Sequence, residues 1–370
     1  MAELDRIGAV IDELGARFTS AGETLALVGG PVRDAMLGRL QNDLDFTTSA
    51  PPEVTERLLR GWADAIWDMG RDFGTIGARS GEWQIEITTY RAEKYDPTSR
   101  KPQVEYGDSL TGDLGRRDFT VNAMAVTVPG REFEDPYGGV VDLATRTLRT
   151  PGRPEDSFSD DPLRMMRAAR FAAQLGFTVD PGVVEAMTTM ADRIEIISAE
   201  RVRDELVKLV CAPYPRRGLA LLVETGLADR VLPELPALKL ERDEHHRHKD
   251  VYEHSLTVLE QSIDLEPRLG DGPDFISRFA ALMHDVGKPR TRKFLGDGTV
   301  TFHHHDVVGA KITRKRMKAL RFSNDEIDAV CQLVELHLRF HGYGWGEWTV
   351  SAVRRYVRDA GDQLERLDVL

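Results

Sequence analysis

The sequence is poor in cysteine, has no long apolar run, and has no histidine before His245. Its two cysteines, Cys211 and Cys331, exclude a dense disulfide scaffold and fit a reducing compartment. There is no run of eighteen apolar residues, and the opening MAELDRIGAV lacks the basic and then apolar layout of a signal peptide. We therefore expect a cytoplasmic protein without a membrane-spanning segment.

A chain of 370 residues is too long for one ordinary domain and predicts two or three. Hydrophobic residues make up 41% and charged residues 30%, as is typical of a globular protein. The net charge of −12 excludes a broadly basic nucleic-acid binder, but RNA binding needs only a local positive surface. Such a surface can come from the following basic residues, unless they are simply scattered over a solvated surface: Arg91, Lys94, Arg100, Lys101, Arg116, Arg117 and the arginines of 164–170.

The local patterns divide the chain into three regions. Residues 1–150 mix predicted strands (LALVGG, NDLDFTTSA, WQIEITTY) with predicted helices (3–19, PVRDAML, PPEVTERLLRGWADAI). Residues 151–235 show amphipathic helices over 160–175, 181–191 and 199–211, and PELPAL at 233–238 is typical of a linker. Residues 236–370 hold all ten histidines on further helices. We therefore expect an α+β protein, with a small α/β head followed by all-α regions.

A glycine pair follows the first predicted strand. Gly29 and Gly30 allow a phosphate to approach the backbone closely, and the helix that begins there presents free N–H groups. Arg33 adds a planar fork of donors that matches phosphate oxygens. The same pair also fits an ordinary structural turn, so it indicates phosphate binding only together with the residues that follow.

Two acidic residues, Asp43 and Asp45, lie two apart in the next predicted strand. Residues two apart point to the same side of a strand, so both carboxylates project together while Leu44 points toward a core. Adjacent carboxylates repel one another unless a cation lies between them, and oxygen ligands suit Mg²⁺, which also binds substrate phosphates. Glu86 in WQIEITTY is the candidate third carboxylate. Ordinary exposed acids at a solvated strand end are the alternative.

Four segments resemble the motifs of one enzyme family. LVGGPVRDAMLG with NDLDFTTSA resembles the opening motif of the nucleotidyltransferase superfamily, and more narrowly that of the bacterial-type (class II) CCA-adding enzymes and their poly(A) polymerase relatives. GRRDFTVNAMA (115–125), DDPLRMMRAARFAAQLGF (160–177) and ERVRDEL (200–206) resemble the second motif, the template motif and the motif that closes the neck. All four occur in the family's order.

The resemblance implies transfer of CMP and AMP from CTP and ATP to the 3′ end of tRNA. Asp43 and Asp45 would bind Mg²⁺ with Glu86 assisting, and the ions would activate the 3′ hydroxyl and stabilise the leaving pyrophosphate. The implied architecture is a nucleotidyltransferase head over 1–150, a helical neck and body that selects the base and binds RNA over 151–235, and an HD-type helical domain over 236–370.

The second motif is implied to bind the ribose and the phosphates. Arg117 would contact phosphate together with Gly30 and Arg33. Asp118 would accept a hydrogen bond from a ribose hydroxyl, and Asn122 is the third polar position of the motif. The alternative is a buried ion pair between Arg117 and Asp118 that only braces the fold.

The template motif is implied to choose the base. Asp161 and Arg164 lie three apart on a predicted helix, so their side chains should lie side by side. An aspartate offers acceptors and an arginine offers a fork of donors, and together they would read the pairing edge of C or A. Arg167 and Arg170 would face the triphosphate or be braced against acids.

The polar segment RAEKYDPTSRKP (91–102) resembles the flexible loop of enzymes that add the terminal A. Enzymes that add only CC tend to lack this pattern, so it favours addition of the full CCA sequence. A charged surface hairpin is the alternative.

The histidine-rich region resembles the HD phosphohydrolase superfamily, whose pattern is His … His-Asp … Asp. Imidazoles and a carboxylate suit a transition metal, and the resemblance makes three residues its ligands: His254, His284 and Asp285. His305 and His337 would be further ligands or substrate contacts. The closing Asp has only a poor match in Asp368, and the chain stops at LERLDVL within a predicted helix, which suggests a fragment of a longer protein. A structural HD-like domain without metal is the alternative.

Three other functions compete with tRNA CCA addition. A poly(A) polymerase shares the catalytic motifs. An HD-domain, metal-dependent phosphohydrolase would use the N-terminal half only to bind nucleotides. A non-catalytic RNA-binding module would have no use for the full set of catalytic side chains.

Overall fold

The computed structural model describes residues 2–68, 70–90, 107, 109–240, 250–296, 300–339 and 349–370. The chain splits into two compact units: Met1–Arg164 with Phe177–Ala186, and Met165–Gly176 with Met187–Leu370. The division into head, neck and body, and HD-type regions at 150 and 235 stays a prediction. The α+β class is confirmed, because one unit holds a large sheet and the other is mainly helical.

The first part of the chain alternates helices and strands. In chain order the elements are α1 (Ala2–Arg6), α2 (Gly8–Ser20), β1 (Leu25–Val28), α3 (Gly30–Met36), β2 (Asp43–Thr48), α4 (Pro52–Leu59), β3 (Ala65–Trp67), β4 (Thr75–Ser80), β5 (Trp83–Thr89), α5 (Leu110–Gly115), β6 (Ala125–Val128), β7 (Phe133–Glu134), α6 (Gly139–Thr145), β8 (Thr147–Leu148) and α7 (Pro154–Asp160). Short 3-10 helices cover Arg71–Phe73 and Thr120–Asn122.

Helices dominate the rest of the chain. The elements are α8 (Leu163–Leu175), β9 (Thr178–Val179), α9 (Pro181–Thr189), α10 (Ala199–Val210), α11 (Pro215–Glu224), α12 (Ala228–Val231), α13 (Val251–Leu265), α14 (Phe275–Met283), α15 (Lys288–Thr291), β10 (Lys293–Phe294), β11 (Val300–Thr301), α16 (His305–Ala319), α17 (Asn324–Leu336), α18 (Val350–Ala360) and α19 (Leu364–Val369). Further 3-10 helices cover Ala191–Ile196, Pro236–Leu240, Glu266–Arg268 and Gly361–Gln363. Within the described residues, no helix is both long and apolar enough to cross a membrane.

The large sheet has seven strands in the order β3-β4-β5-β2-β1-β6-β7. β2 and β5 run parallel, and the other neighbouring strands are antiparallel. Alternation along β2 and β5 buries Leu44, Phe46, Ile85 and Ile87 on one face. The intervening residues therefore lie on the opposite face, which the core does not cover.

The predicted helices near the N-terminus needed three corrections. The opening helix is two helices, α1 and α2, separated at Ile7. The second predicted helix ends at Leu59, because the chain turns at Gly61 with a left-handed φ of 74°. Ala65 and Ile66, which we predicted as the end of that helix, belong to strand β3 (Ala65–Trp67), which pairs with β4. Finally, β4 and β6 were not predicted at all.

A core of packed helices fills the second unit. α14 packs against α13 and α17, and α16 packs against α17. Phe279, Met283, Val330 and Val334 are fully buried there. The predicted linker PELPAL is in fact part of this core, because the side chains of Leu235 and Leu238 are completely buried.

Candidate functional site

Four sequence-distant segments meet at one edge of the large sheet. β1 ends at Val28 and pairs antiparallel with both β2 and β6, so its last residues lie beside the start of each of those strands. β5 is parallel to β2 and begins at the same end. The amide of Gly29 donates a hydrogen bond to the Met124 carbonyl, just before β6. The topology therefore joins the first and second motifs, which the sequence separates by about ninety residues.

The three predicted carboxylates share one face at this edge. Asp45 is the direct partner of Glu86 in the β2–β5 register, and Asp43 is the partner of Gln84. Because partners in a sheet point to the same side and neighbouring strands lie about 4.8 Å apart, the side chains of Asp45 and Glu86 start next to each other. Asp43 and Glu86 are exposed and Asp45 is half-buried.

This donor set fits a hard divalent cation. It consists of carboxylates only, with room for water molecules on the exposed side, as Mg²⁺ prefers. Among the residues that the structure describes, Asp43, Asp45 and Glu86 do not form a group whose ligand atoms all lie within 4.8 Å.

The glycine turn requires glycine at Gly29. This residue has a φ of 72°, in the left-handed region that L residues rarely adopt. A Cβ placed there would lie 2.8 Å from Nη1 of Arg117. The second-motif arginine thus packs directly against the turn, where its other terminal nitrogen donates to Asp113 at 3.3 Å. The ion pair of Arg117 is therefore with Asp113, and Asp118 has other partners.

A buried chain of hydrogen bonds joins the first motif to the second. Arg33 Nη1 donates to Asn122 Oδ1 at 2.6 Å, and Asn122 Nδ2 donates to Asp118 Oδ1 at 3.0 Å. The Phe119 amide donates to the same Asp118 oxygen at 2.8 Å. Arg33, Asn122 and Asp118 are each 5–6% exposed. The remaining nitrogens of Arg33 bind Asp34, so in this structure Arg33 holds Asn122 in place.

The template segment differs from the prediction at Asp161. We predicted one helix over 160–175, but α7 ends at Asp160 and α8 begins at Leu163. Pro162 causes the break, because a residue before proline is driven to the extended conformation, and Asp161 has φ −142° and ψ 101°. Asp161 Oδ1 accepts from the Leu163 amide at 3.1 Å and so caps the new helix.

Arg164 is held by groups on two other segments. Its Nη1 donates to Ser157 Oγ at 2.9 Å, and its Nη2 donates to the Arg116 carbonyl at 2.5 Å. The prediction that Asp161 and Arg164 lie side by side on one helix is therefore wrong, because Asp161 precedes the helix that contains Arg164. The two residues still adjoin, since the Arg164 amide donates to the Asp161 carbonyl at 3.0 Å.

The two later arginines of the template motif belong to α8, and one of them contacts α10. Arg170 Nε donates to Glu205 Oε2 at 2.5 Å, and its guanidinium covers the Phe171 ring at 3.9 Å. Arg167 lies 5.8 Å from the centre of the same ring. Arg170 is thus braced by the glutamate of the ERVRDEL motif, which was one of the two predicted arrangements.

A second cluster of functional side chains lies in the helical unit around Asp285. There are two sets of residues, and within each set the ligand atoms all lie within 4.8 Å of one another. One set is His254, His284 and Asp285, and the other is Asp285, His305 and His337. His284 Nε2 is 3.2 Å from Asp285 Oδ2, and His305 Nε2 is 3.2 Å from Asp285 Oδ1. The Lys288 ammonium lies 2.9 Å from Oδ2. These His and Asp groups can hold a metal ion, and one carboxylate belongs to both sets.

The backbone fixes the orientation of three of these imidazoles. Nδ1 lies 2.7 Å from the Ala281 carbonyl in His284, and 2.6 Å from the Val334 carbonyl in His337. Both histidines cap the C-terminus of a helix, where carbonyls lack helical partners. His305 Nδ1 has the same contact with a carbonyl three residues earlier, at 2.8 Å. A carbonyl only accepts, so Nδ1 carries a proton in each of them; in the neutral form of the ring Nε2 then presents its lone pair to the cluster, as in metal-binding histidines.

Three comparisons with known proteins agree with this arrangement. Family models match residues 25–149 (Poly A polymerase head domain), 176–238 (Probable RNA and SrmB- binding site of polymerase A) and 251–366 (HD domain). An A-adding tRNA nucleotidyltransferase of Deinococcus radiodurans is 36% identical over 321 residues, which is 85% of this chain and 68% of that protein.

The chain belongs to the bacterial tRNA nucleotidyltransferase and poly(A) polymerase family. A CCA-adding enzyme of Streptococcus suis is 40% identical over 220 residues, covering 59% of this chain and 53% of that enzyme, so the chain matches about half of the relative's length. The crystal structure of the Bacillus stearothermophilus CCA-adding enzyme in complex with CTP has a TM-score of 0.65 and 27% identity, and covers 96% of this chain and 75% of that one.

In the HD domain, burial and nearby charges shift the pKa values of Asp285 and His305 in opposite directions. Burial alone would raise the pKa of Asp285, but His284, His305 and Lys288 hold this pKa well below its ordinary value. Burial works to lower the pKa of His305, yet the Asp285 carboxylate raises it. His337 is buried among the other imidazoles, and its pKa falls to about 3.

The remaining sequence predictions concern Asp368 and the segment 91–102. Asp368, the weak candidate for the closing HD ligand, accepts a hydrogen bond from the Tyr356 hydroxyl at 2.7 Å and belongs to neither described metal-type set. The segment 91–102 lies outside the described residues. Sequence reasoning missed Ser157 and Asp113, which hold Arg164 and Arg117. A polar residue at a buried helix position was the available signal for Ser157.

Proposed function

We propose that this chain adds nucleotides from CTP and ATP to the 3′ end of tRNA and completes the CCA sequence, releasing pyrophosphate. The observation that carries the proposal is the placement of Asp43, Asp45 and Glu86 on one sheet face beside the glycine turn. The chain's similarity to an A-adding tRNA nucleotidyltransferase and to CCA-adding enzymes supports these substrates.

Mg²⁺ is the cofactor that this carboxylate set fits. Asp43 and Asp45 would hold it, with Glu86 alongside. When bound, it supplies positive charge that activates the 3′ hydroxyl and stabilises the departing pyrophosphate. The chain's own contribution is to fix two acids on a single strand, so that neither needs to be ordered when the substrate arrives.

The second motif would hold the sugar and phosphates. Arg117 packs against Gly29 and would contact phosphate at the turn, together with Gly30. Asp118 is buried and oriented by Asn122 and by the Phe119 amide, and its carboxylate would accept from a ribose hydroxyl. Arg33 contributes by fixing Asn122.

The template segment would select the base. Arg164 offers donors and Asp161 offers acceptors, and the two residues adjoin at the start of α8. Arg167 and Arg170 complete the motif, and Arg170 is fixed by Glu205. The three family matches support the proposed sequence of head, RNA-binding and HD regions.

The test is extension of three tRNA transcripts, which lack CCA, lack CA or lack only the terminal A. With CTP and ATP, the wild-type protein should complete all three. Asp43→Asn or Asp45→Asn should lower the rate by about 10³-fold or more, since each removes several kcal/mol of metal-dependent stabilisation. Glu82→Gln, an exposed acid at the β4–β5 turn, is the matched control and should keep full activity. If Asp43→Asn retains full activity, the catalytic assignment is wrong.

Addition of only the terminal A is the second candidate. The observation in its favour is the A-adding relative, which matches 85% of this chain, whereas the streptococcal CCA-adding enzyme matches 59%. The same assay separates the two, because an A-adding enzyme extends only the transcript that already ends in CC. Long A tails on an unrelated RNA would indicate a poly(A) polymerase.

The cluster in the HD domain would bind a transition metal through His254, His284 and Asp285, with His305 and His337 as further ligands. The protonated Nδ1 atoms and converging Nε2 atoms support this. Metal content of the purified protein, measured by mass spectrometry, should fall in His284→Ala and stay unchanged in the exposed control His303→Ala. Hydrolysis of a simple phosphodiester by the metal-loaded protein, lost in His284→Ala, would add a phosphohydrolase activity. Equal metal content in all three proteins would argue against the site.

A further inference from the structure

Ser157 is a buried polar residue on α7, and its hydroxyl faces the template arginine. The residue is 8% exposed, and Oγ accepts a hydrogen bond from Arg164 Nη1 at 2.9 Å. The Ser157 carbonyl lies 3.4 Å from the same nitrogen. Ser157 and Arg164 are seven residues apart, across the break between α7 and α8 at Pro162.

A second anchor holds the other end of the same guanidinium. Arg164 Nη2 donates to the Arg116 carbonyl at 2.5 Å. Arg116 directly precedes Arg117 and Asp118, the residues proposed to bind phosphate and ribose. Arg164, the proposed base-selecting residue, is therefore hydrogen-bonded to the segment that would hold the sugar. This bond to a backbone carbonyl fixes the distance between the Arg164 guanidinium and that segment.

The two anchors leave part of the guanidinium available. An arginine has five N–H donors in one plane. In Arg164, Nη1 donates to both the hydroxyl and the carbonyl of Ser157, and Nη2 donates to the Arg116 carbonyl, so that Nε and one hydrogen on Nη2 remain. Two fixed terminal nitrogens, together with the covalent attachment through Nε, set how that plane is turned. A base can be distinguished by its edge only if the donors facing it keep one direction, because a mobile arginine would adapt to several edges.

We propose that Ser157 is a positioning residue for base selection: it holds the Arg164 guanidinium in the plane required to recognise the pairing edge of C and A. Arg164 makes the contact with the base, and Ser157 acts only through Arg164. The proposal rests on the proposed nucleotide transfer to tRNA, and it adds a specificity-determining residue outside the template pair.

The test compares Ser157→Ala with wild type in single-nucleotide addition to tRNA. Alanine keeps the helix but removes the acceptor. Because a hydrogen bond to a charged group is worth roughly tenfold or more, the ratio of kcat/KM for CTP over UTP, and for ATP over GTP, should fall about tenfold. The kcat for the correct nucleotide at saturation should change less than about twofold, since the carboxylates at β2 and β5 are untouched.

Two further variants make the comparison specific. Ser159→Ala removes an exposed serine from the same helix and should keep the wild-type ratio. Ser157→Thr restores a hydroxyl and should recover most of the selectivity. If Ser157→Ala does not fold, Ser157→Cys keeps the volume with only a weak acceptor and carries the same expectation.

The outcomes separate this proposal from the one on which it rests. A Ser157→Ala protein with a lower melting temperature and an unchanged selectivity ratio would show that Ser157 is only structural. A wild-type protein that adds no nucleotide to any tRNA would overturn the nucleotide transfer itself, and the positioning role with it. Loss of selectivity in Ser157→Ala but not in Ser159→Ala supports the proposal.

Discussion

Asn122→Ala tests whether the first and second motifs are physically coupled. The amide of Asn122 stands between a buried cation and a buried anion: it accepts from Arg33 at 2.6 Å and donates to Asp118 at 3.0 Å. Alanine removes both bonds at once and leaves each charged group with one partner fewer. We expect loss of stability and of nucleotide binding together.

The size of the stability loss follows from the two partners. A hydrogen bond to a charged group contributes about 1.5–3 kcal/mol. Arg33 keeps its two bonds to Asp34, and Asp118 keeps the Phe119 amide, so neither charge is fully stranded and the lower value applies to each. The free energy of unfolding should therefore fall by about 3 kcal/mol.

Urea unfolding, followed by tryptophan fluorescence, measures this change. Trp83 is buried in the sheet of the same unit and reports its unfolding. The control is Asn42→Ala, which removes an exposed bond to Glu82 and should cost less than about 0.5 kcal/mol. Equal small losses in both variants would refute the idea that Asn122 couples the motifs. A stable Asn122→Ala protein with normal affinity for CTP would refute it as well.

Three further perturbations probe the helical unit. Arg170→Ala should cost about 3–5 kcal/mol, because it leaves the buried Glu205 unpaired, whereas Arg230→Ala, at an exposed pair, should cost under about 1 kcal/mol; equal urea midpoints would contradict this. His337 has its pKa lowered to about 3, so below the unfolded value of about 6.5 the unfolded chain gains a proton that the folded chain does not. Stability of the metal-free protein should therefore fall by up to about 2 kcal/mol between pH 6.5 and pH 5, and His337→Gln should flatten this slope; an unchanged slope would count against a buried neutral imidazole. Burial raises the pKa of Cys331 to about 11, so its thiol should react with a disulfide reagent at pH 8 far more slowly in the native protein than in urea, and equal rates would disprove the burial.

Local patterns were enough to predict the elements that carry the head site. The strand β1, the helix α3 and the strands β2 and β5 all lie where the sequence placed them. Alternation of Asp43, Leu44 and Asp45 predicted one exposed and one buried face, and burial in the structure follows it. These features depend on neighbours within a few residues, and such neighbours are visible in a sequence.

Local sequence patterns could not predict which strands pair in the sheet or in which register. The alignment of Asp45 with Glu86 depends on the register of two parallel strands that are forty residues apart, and nothing local specifies that register. β3 was missed for the same reason, because Ala65–Trp67 becomes a strand only by pairing with β4. The break at Asp161 was different, because Pro162 is a local signal that disfavours a helical conformation at the preceding residue. In our prediction we gave more weight to the helical spacing of the arginines.

The same physical arrangement recurs in the second motif, the template motif and the HD cluster, and it explains why residue identity alone does not reveal function. The Phe119 amide orients Asp118, the Arg116 carbonyl holds Arg164, and the Val334 carbonyl sets the proton of His337 on Nδ1. In each case a side chain supplies the chemistry and a backbone group, fixed by the fold, decides which of its atoms remains for a ligand. A sequence shows which side chain is present at each site. The position of the backbone group that orients this side chain depends on the fold. Substitutions that move these backbone segments should therefore impair the sites as much as loss of the side chains themselves.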